Sequence, residues 1–293
     1  MIASGTQILT QPGGARQLLR TRLTPNQIGL AWLGQAGFLL QTHSGRWVID
    51  PYLSDYLANK YRNARYPHQR MMAAPIGPEE LVGVDGVLCT HRHSDHMDPD
   101  TLPVLAAVNP RCCFVAPAAE RDAALRAGIP ADRAIWADAG QTHALGDGAQ
   151  LHVLPAAHET LETDAAGQHR YLGYVLQLGA ISIYHSGDTV PFASLVDELK
   201  RLRPTVALLP VNGRDETRRA NGVPGNLTAA EAVQVCRQAD IPHLICHHFG
   251  MFDFNTIDEA DLRQTISTAN GRRECIVPSV DTWYLLETES ERP

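Results

Sequence analysis

After residue 27 the chain is built from short apolar runs broken by Gly, Pro, Asp and Asn. Runs at 28–33, 38–41 and 46–50 are separated by Gly34-Gln35-Ala36-Gly37 and by residues 42–45, the spacing of a β-meander. Residues 1–27 lack this pattern and read as an irregular arm. A buried strand is predicted at 86–90. Asp98 and Pro99 then open a helix whose apolar run is 102–107. A strand at 112–116 and a helix at 118–127 follow. Strands are expected at 133–137, 150–155, 172–178 and 181–184, a helix at 192–202 and a strand at 206–211. Thr228-Ala229-Ala230-Glu231 has the form of a capping box and opens a helix to about Gln238. The last elements are a strand at 243–246, a helix at 258–267 and strands at 275–277 and 282–286. Strands thus occur both in hairpins and in alternation with helices. This predicts an α/β fold of mixed sheets covered by helices. No linker-like or low-complexity segment interrupts it, so residues 1–293 read as one domain. Residues 51–80 are the exception, with tyrosines, prolines, arginines and methionines in no period. An excursion of that length predicts a functional loop or lid.

Composition narrows the classes. Hydrophobic residues make up 44 % and charged residues 19 %, enough apolar content for one large core. A disordered chain, a collagen-like chain and a coiled coil are thereby excluded. The net charge of −7 argues against a nucleic-acid partner, which a basic field would serve better. No apolar run reaches the roughly 18 residues of a membrane helix, so no membrane partner is expected. The first residues lack the charged-then-apolar order of a secretory leader. None of the six cysteines forms a CxxC pair, and Cys112 and Cys113 are adjacent. Reduced thiols in a cytoplasmic protein are the simple reading.

The 13 histidines are unevenly placed. Thr90-His91-Arg92-His93-Ser94-Asp95-His96 follows a predicted strand and precedes a helix. Three histidines and a carboxylate then leave one loop. His91 and His93 can converge on one metal, and Asp95 and His96 can turn to a second. Imidazole with carboxylate suits zinc, manganese or iron. A solvated histidine-rich turn is the plain alternative. One loop cannot complete two metal spheres, so further ligands should come from other strand ends. Three segments fit: His158 after 151–155, Asp188 in Ser186-Gly187-Asp188-Thr189, and the His247-His248 pair after 243–246. Each taken singly could be an ordinary loop or turn.

HxHxDH, a lone His, GD and a final His together resemble the metallo-β-lactamase-fold hydrolases, from about residue 28 to 286. Trp32-Leu33-Gly34-Gln35-Ala36-Gly37, Ile49-Asp50-Pro51-Tyr52, Tyr184-His185-Ser186-Gly187-Asp188-Thr189 and His247-His248 with Phe252 resemble the L-ascorbate-6-phosphate lactonase branch. The resemblance implies an αββα sandwich of two mixed β-sheets flanked by helices, with the site at one edge. It implies two divalent metal ions per chain. His91, His93 and His158 would hold the first, Asp95, His96 and His248 the second, and Asp188 would bridge them. Asp50 would support the ligands from behind. Relatives often carry Asp two positions after the final His, where this chain has Gly250.

The implied reaction is metal-dependent hydrolysis. A hydroxide generated at the metals opens a small polar or phosphorylated lactone, with Asp95 or Asp188 holding the nucleophile and moving its proton. No GxSxG elbow, P-loop or GxGxxG is present. A phosphodiesterase on the same dinuclear site and a non-catalytic metal-binding scaffold or sensor are the rival readings. The expected partner is a small molecule, anionic if phosphorylated, and a homo-oligomer is compatible with the chain. Candidate anion contacts are Arg62, Arg65 and Arg70 in the excursion, Arg214, and Asn226 before the capped helix. His247 is either core-facing or a substrate contact. The excursion at 51–80 leaves just after Asp50 and returns to the strand that delivers His91, which predicts a cover over the substrate site.

Overall fold

A computed structural model describes residues 5–269 and 274–288. In chain order its strands are β1 (Thr6–Pro12), β2 (Gln27–Gly34), β3 (Gly37–Gln41), β4 (Arg46–Ile49), β5 (Gly86–Leu88), β6 (Cys113–Pro117), β7 (Ala134–Ala137) and β8 (Thr142–Ala144). They continue with β9 (Gln150–Pro155), β10 (Leu172–Leu178), β11 (Ile181–His185), β12 (Val206–Pro210), β13 (His243–His247), β14 (Glu274–Ile276) and β15 (Thr282–Thr288). The first sheet runs β1-β15-β2-β3-β4-β5-β6-β7 and the second β14-β13-β12-β11-β10-β9-β8. Each sheet is mixed. The pairs from β1 to β4 are antiparallel and those from β4 to β7 parallel. In the second sheet β8 to β11 are antiparallel and β11 to β14 parallel.

The apolar runs look continuous because both faces of these strands are covered. Neighbouring side chains leave a strand on opposite faces. Leu30, Trp32, Phe38, Leu40, Trp47 and Ile49 therefore meet the second sheet's Leu151, Tyr174, Ile183 and Leu208 in the central core. Ala31, Leu33, Leu39 and Val48 point outward, to the helices Gly14–Arg20, Leu102–Val108 and Arg121–Arg126. The helices Leu195–Leu202, Ala229–Gln238 and Glu259–Ala269 bring Leu199, Val233 and Leu262 to the second sheet. The result is the αββα sandwich. The predicted capping box forms, with Thr228 N–H donating to Glu231 Oε2 at 2.9 Å and Glu231 N–H to Thr228 Oγ1 at 3.2 Å. No disulfide joins the described cysteines. No helix among the described residues is long and apolar enough to cross a membrane.

Residues 5–27 depart from expectation, the rest of the expected arm lying outside the described residues. They are not an irregular arm: β1 pairs along its whole length with β15, and Gly14–Arg20 is helical. Only Ile8 of β1 is buried, so its sequence carries no strand-like alternation, and pairing with a strand at the far end of the chain supplies the order. β8 and the short helix Glu216–Ala220 were likewise not legible.

The 51–80 excursion holds the helix Tyr56–Lys60 and a single turn at Pro78–Glu80, and otherwise runs without regular structure. Arg70 ties it together. Its guanidinium lies 4.7 Å from the Tyr52 ring centre and donates to the carbonyls of Tyr52, Ser54 and Met72 at 3.1, 3.2 and 3.1 Å. Hydrogen bonds from a charged donor are each worth roughly 1.5–3 kcal/mol. Arg70→Ala should therefore lower the stability of the metal-free protein by about 2 kcal/mol and expose the segment to proteolysis. An unchanged melting curve and digestion pattern would show that Arg70 holds nothing in place.

Candidate metal centre

Five segment ends converge at one edge of the sandwich. β4 leads into Asp50, β5 into His91–His96, and β9 into His158. β11 leads into Asp188 and β13 into His248. Three of the six non-glycine residues with left-handed backbone lie here: Gln35 (φ 49°), Asp50 (φ 45°) and His248 (φ 60°). Such conformations cost of order 1–3 kcal/mol and persist where the surroundings over-determine them. Gly187 (φ 60°) is required by close approach, since a Cβ there would lie 2.8 Å from Thr90 Cβ and 2.9 Å from the Leu172 carbonyl. The turn it makes ties two further segments together. Thr189 Oγ1 accepts from Ala157 N–H at 3.1 Å, and the Thr189 carbonyl from Leu227 N–H at 2.9 Å. That brings His158 beside Asp188.

All seven expected ligand side chains meet. The nitrogen and oxygen atoms of His91, His93 and His158 lie within 4.8 Å of one another, as do those of Asp95, His96 and His248. Asp188 groups within the same distance with His91 and His96, one histidine from each set. Its carboxylate is 3.1 Å from His248 Nε2, 3.3 Å from His96 Nε2 and 3.7 Å from His158 Nε2. His96 Nε2 and Asp188 Oδ1 are buried and neither is hydrogen-bonded. Buried polar atoms are rarely left so. Unused lone pairs on imidazole and carboxylate, converging within a few ångströms, fit a divalent cation.

Electrostatics agree. Burial, then the charges of His96 and His93, push the His91 imidazole well below its usual range. Burial takes His158 down to about 4. Both are then neutral and able to coordinate at neutral pH. Burial opposes charge on His96, but Asp188, Asp50 and Asp95 outweigh it and hold the ring well above its usual range. Three carboxylates around one imidazole are a demand for positive charge.

Asp50 lies behind the cluster. Its carboxylate accepts from Thr90 N–H at 2.7 Å and Thr90 Oγ1 at 2.6 Å, and His96 Nδ1 lies 2.7 Å away. With Nδ1–H held by Asp50, a cation that displaced the proton from Nε2 would find His96 in the tautomer a ligand needs.

The final histidines diverge. His248, turned by its left-handed backbone, joins the cluster. His247 stacks on His185 at 4.8 Å beside Phe38, fully buried. It is core-facing, so its candidacy as a substrate contact is withdrawn. Gly250 has φ 64°, and a Cβ there would lie 3.0 Å from Met72 Cε. Left-handed backbone and that contact suit glycine and disfavour an aspartate.

A cavity of about 660 Å³ opens over the cluster, lined by His93, Asp95, His158, Asp188 and His248 at its floor. Leu57 to His68 of the excursion form one wall, so the segment does reach the rim. The anion candidates fare unequally. Arg65 lines the cavity, whereas Arg62 bonds to Asn59 and Arg70 is the internal clamp. Arg214 is held bidentately by Glu231 at 2.6 and 2.7 Å. Asn226 N–H donates to the Gly213 carbonyl at 3.1 Å and so offers nothing to an anion. None of these four lines the cavity. Sequence reasoning missed Gln35, whose amide donates to Asp95 Oδ2 at 2.8 Å and lies 3.1 Å from His248 Nε2. Its signal was the tight Gly34–Gly37 turn. Tyr171 was missed too: it stacks on His158 at 4.9 Å.

Two mixed sheets in an αββα sandwich, with a His/Asp cluster at their common edge, define a metallo-β-lactamase-fold protein. Residues 46–249 match the family model of the beta-lactamase superfamily domain. A UPF0173 metal-dependent hydrolase of Aeropyrum pernix is 31 % identical over 198 residues, 63 % of this chain and 71 % of that relative. Another from Pyrobaculum arsenaticum is 26 % identical over 267 residues, covering 87 % of this chain and 99 % of the relative. The chain belongs to the beta-lactamase superfamily and, within it, to the UPF0173 metal-dependent hydrolases. Among solved structures, an isothiocyanate hydrolase from Delia radicum gut bacteria superposes with TM-score 0.69 at 21 % identity, over 87 % of this chain and 97 % of that one. A metallo hydrolase from Ignicoccus hospitalis gives TM-score 0.66 at 19 % identity, over 89 % and 99 %. At these identities the two structures share the fold.

Proposed function

We propose that this hydrolase opens a small, polar, anionic lactone at a centre of two divalent ions, in the manner of the lactonase branch its motifs resemble. The observation that carries the reading is the pair of unpartnered buried atoms, His96 Nε2 and Asp188 Oδ1, where the two ligand sets meet. His91, His93 and His158 would hold one ion, Asp95, His96 and His248 the other, with Asp188 between them. Ions bound there supply a lowered pKa for water and polarisation of the scissile carbonyl. The chain's own residues do the rest. Asp50 fixes the His96 tautomer, and Gln35 fixes the Asp95 carboxylate. Asp95, with 17 % of its side chain exposed against 6 % for Asp188, is the carboxylate that takes the proton of the attacking water and passes it to solvent. The excursion covers the bound substrate and limits access of bulk water. The absence of disulfides among the described residues supports a reducing compartment such as the cytoplasm.

The test starts with elemental analysis of protein purified without chelator. Zinc, manganese and iron forms are then assayed on a lactone panel and on bis-p-nitrophenyl phosphate. Two ions per chain and lactone opening are expected. Dominant phosphodiester turnover would replace the reaction proposed here, and metal-loaded protein that hydrolyses nothing would favour a scaffold or sensor.

A further inference from the structure

Four cations, Lys60, Arg65, Arg92 and Arg126, line the cavity of a chain whose net charge is −7. Among the described residues the carboxylates of the lining are Asp95 and Asp188, both turned to the histidine cluster. Two of the cations are already engaged. Lys60 Nζ lies 5.2 Å from the Tyr61 ring centre and 5.8 Å from that of Tyr56. Arg65 donates to Asn221 Oδ1 at 2.6 Å and sits 5.3 Å from the Tyr66 ring centre. The ring contacts lie within the excursion, and the Arg65–Asn221 hydrogen bond ties it to a neighbouring segment.

Arg92 and Arg126 are different. Arg92 approaches Glu120 at 3.8 Å, but that buried carboxylate already accepts from Arg170 at 2.8 Å. Glu120 directly precedes the helix Arg121–Arg126, whose Ala123 and Arg126 face the cavity one turn apart. Arg126 has no hydrogen-bond or carboxylate partner among the described residues. One carboxylate thus serves two guanidinium groups, with another guanidinium uncompensated on the same bank. Planar guanidinium groups match carboxylate and phosphate oxygens in pairs.

We propose that Arg92 and Arg126 form an oxyanion subsite that holds a carboxylate or phosphate of the substrate away from the bond being cleaved, with Glu120 as the positioning residue for Arg92. The subsite rests on the hydrolase reading above, since its ligand must also reach the His/Asp cluster. It assigns the anion to residues outside the excursion, where the sequence had suggested Arg62, Arg65 and Arg70.

The test is calorimetric and needs no turnover. Metal-loaded protein is titrated with dicarboxylates from succinate to pimelate, with ω-phosphonocarboxylates of the same lengths, and with the monocarboxylates butyrate to heptanoate. One carboxylate of every probe can occupy the metals, and the second anion reaches the arginines only at a matching length. At least one length should bind tenfold or more tightly than its monocarboxylate. The stronger of the two anion types then identifies the substrate's group. The gain should vanish in the Arg92→Gln/Arg126→Gln double variant and persist in Lys60→Gln/Arg65→Gln. Both arginines are exposed, so the double variant should melt as the parent does. Absence of binding, no gain at any length, a gain that survives the first double variant, or one lost only in the second overturns the proposal. A failed lactone assay would leave this result readable, and the reverse holds too.

Discussion

Asp188→Asn is expected to lower kcat/KM by roughly 10³-fold, the scale seen when one preorganised electrostatic group is removed from a transition state. The substitution keeps volume and shape and removes one negative charge. Burial alone would make Asp188 hard to ionise, yet His248 and His96 outweigh burial and hold its carboxyl well below the usual range. The native site is therefore built around an anion at this position. A neutral amide would serve the proposed pair of cations poorly, and its NH₂ would face His96 or His248 as a donor where an acceptor is needed. Metal content should fall while the melt stays cooperative, because the Gly187 turn and the Thr189 hydrogen bonds do not involve the carboxylate. Steady-state kinetics, elemental analysis and a thermal melt on one preparation decide the matter. Turnover near the parent's would reduce Asp188 to a turn residue.

Much of this site was legible because its ligands lie within a residue or two of the strand ends they follow. The αββα arrangement was implied by the same motifs, and the buried strands announced themselves by continuous apolar runs. What stayed hidden depends on contacts between distant segments. β1 is ordered by β15 rather than by its own alternation. Gln35 looks like a turn residue until the fold sets its amide 2.8 Å from Asp95, 60 positions away. The arginines misled for a related reason. Their density in the excursion suggested an anion site, but Arg70 is consumed by backbone carbonyls and Arg62 by Asn59. Arg126 sits on a helix with no motif near it, and only the closure of the fold shows that it lines the cavity over the His/Asp cluster. Charge is visible in a sequence, whereas the partner that neutralises it is not.

Asp50 separates ligand support from fold support, and two substitutions should divide these roles. In Asp50→Ala, Thr90 N–H loses its buried acceptor and His96 loses the group that orients it. An unsatisfied buried donor costs about 1–3 kcal/mol, so the melt of the metal-free protein should drop clearly. Loss of such an outer partner typically costs 10–100-fold in metal affinity, which sets the expected scale of weakening. Asp50→Asn should behave differently. Its amide oxygen can still accept from Thr90 N–H, so most stability should remain. Its NH₂ group then faces Thr90 Oγ1 and His96 Nδ1, where the carboxylate oxygen accepted. His96 is thereby driven to accept at Nδ1 and carry its proton at Nε2, the atom that faces Asp188 at 3.3 Å. A protonated Nε2 cannot coordinate. Asp50→Asn should therefore approach Asp50→Ala in metal affinity while melting close to the parent. Chelator-competition titration and thermal unfolding of the metal-free proteins give the two readouts. If Asp50→Asn binds metal as the parent does, His96 is not held as a ligand by Asp50, and the carboxylate serves the fold alone.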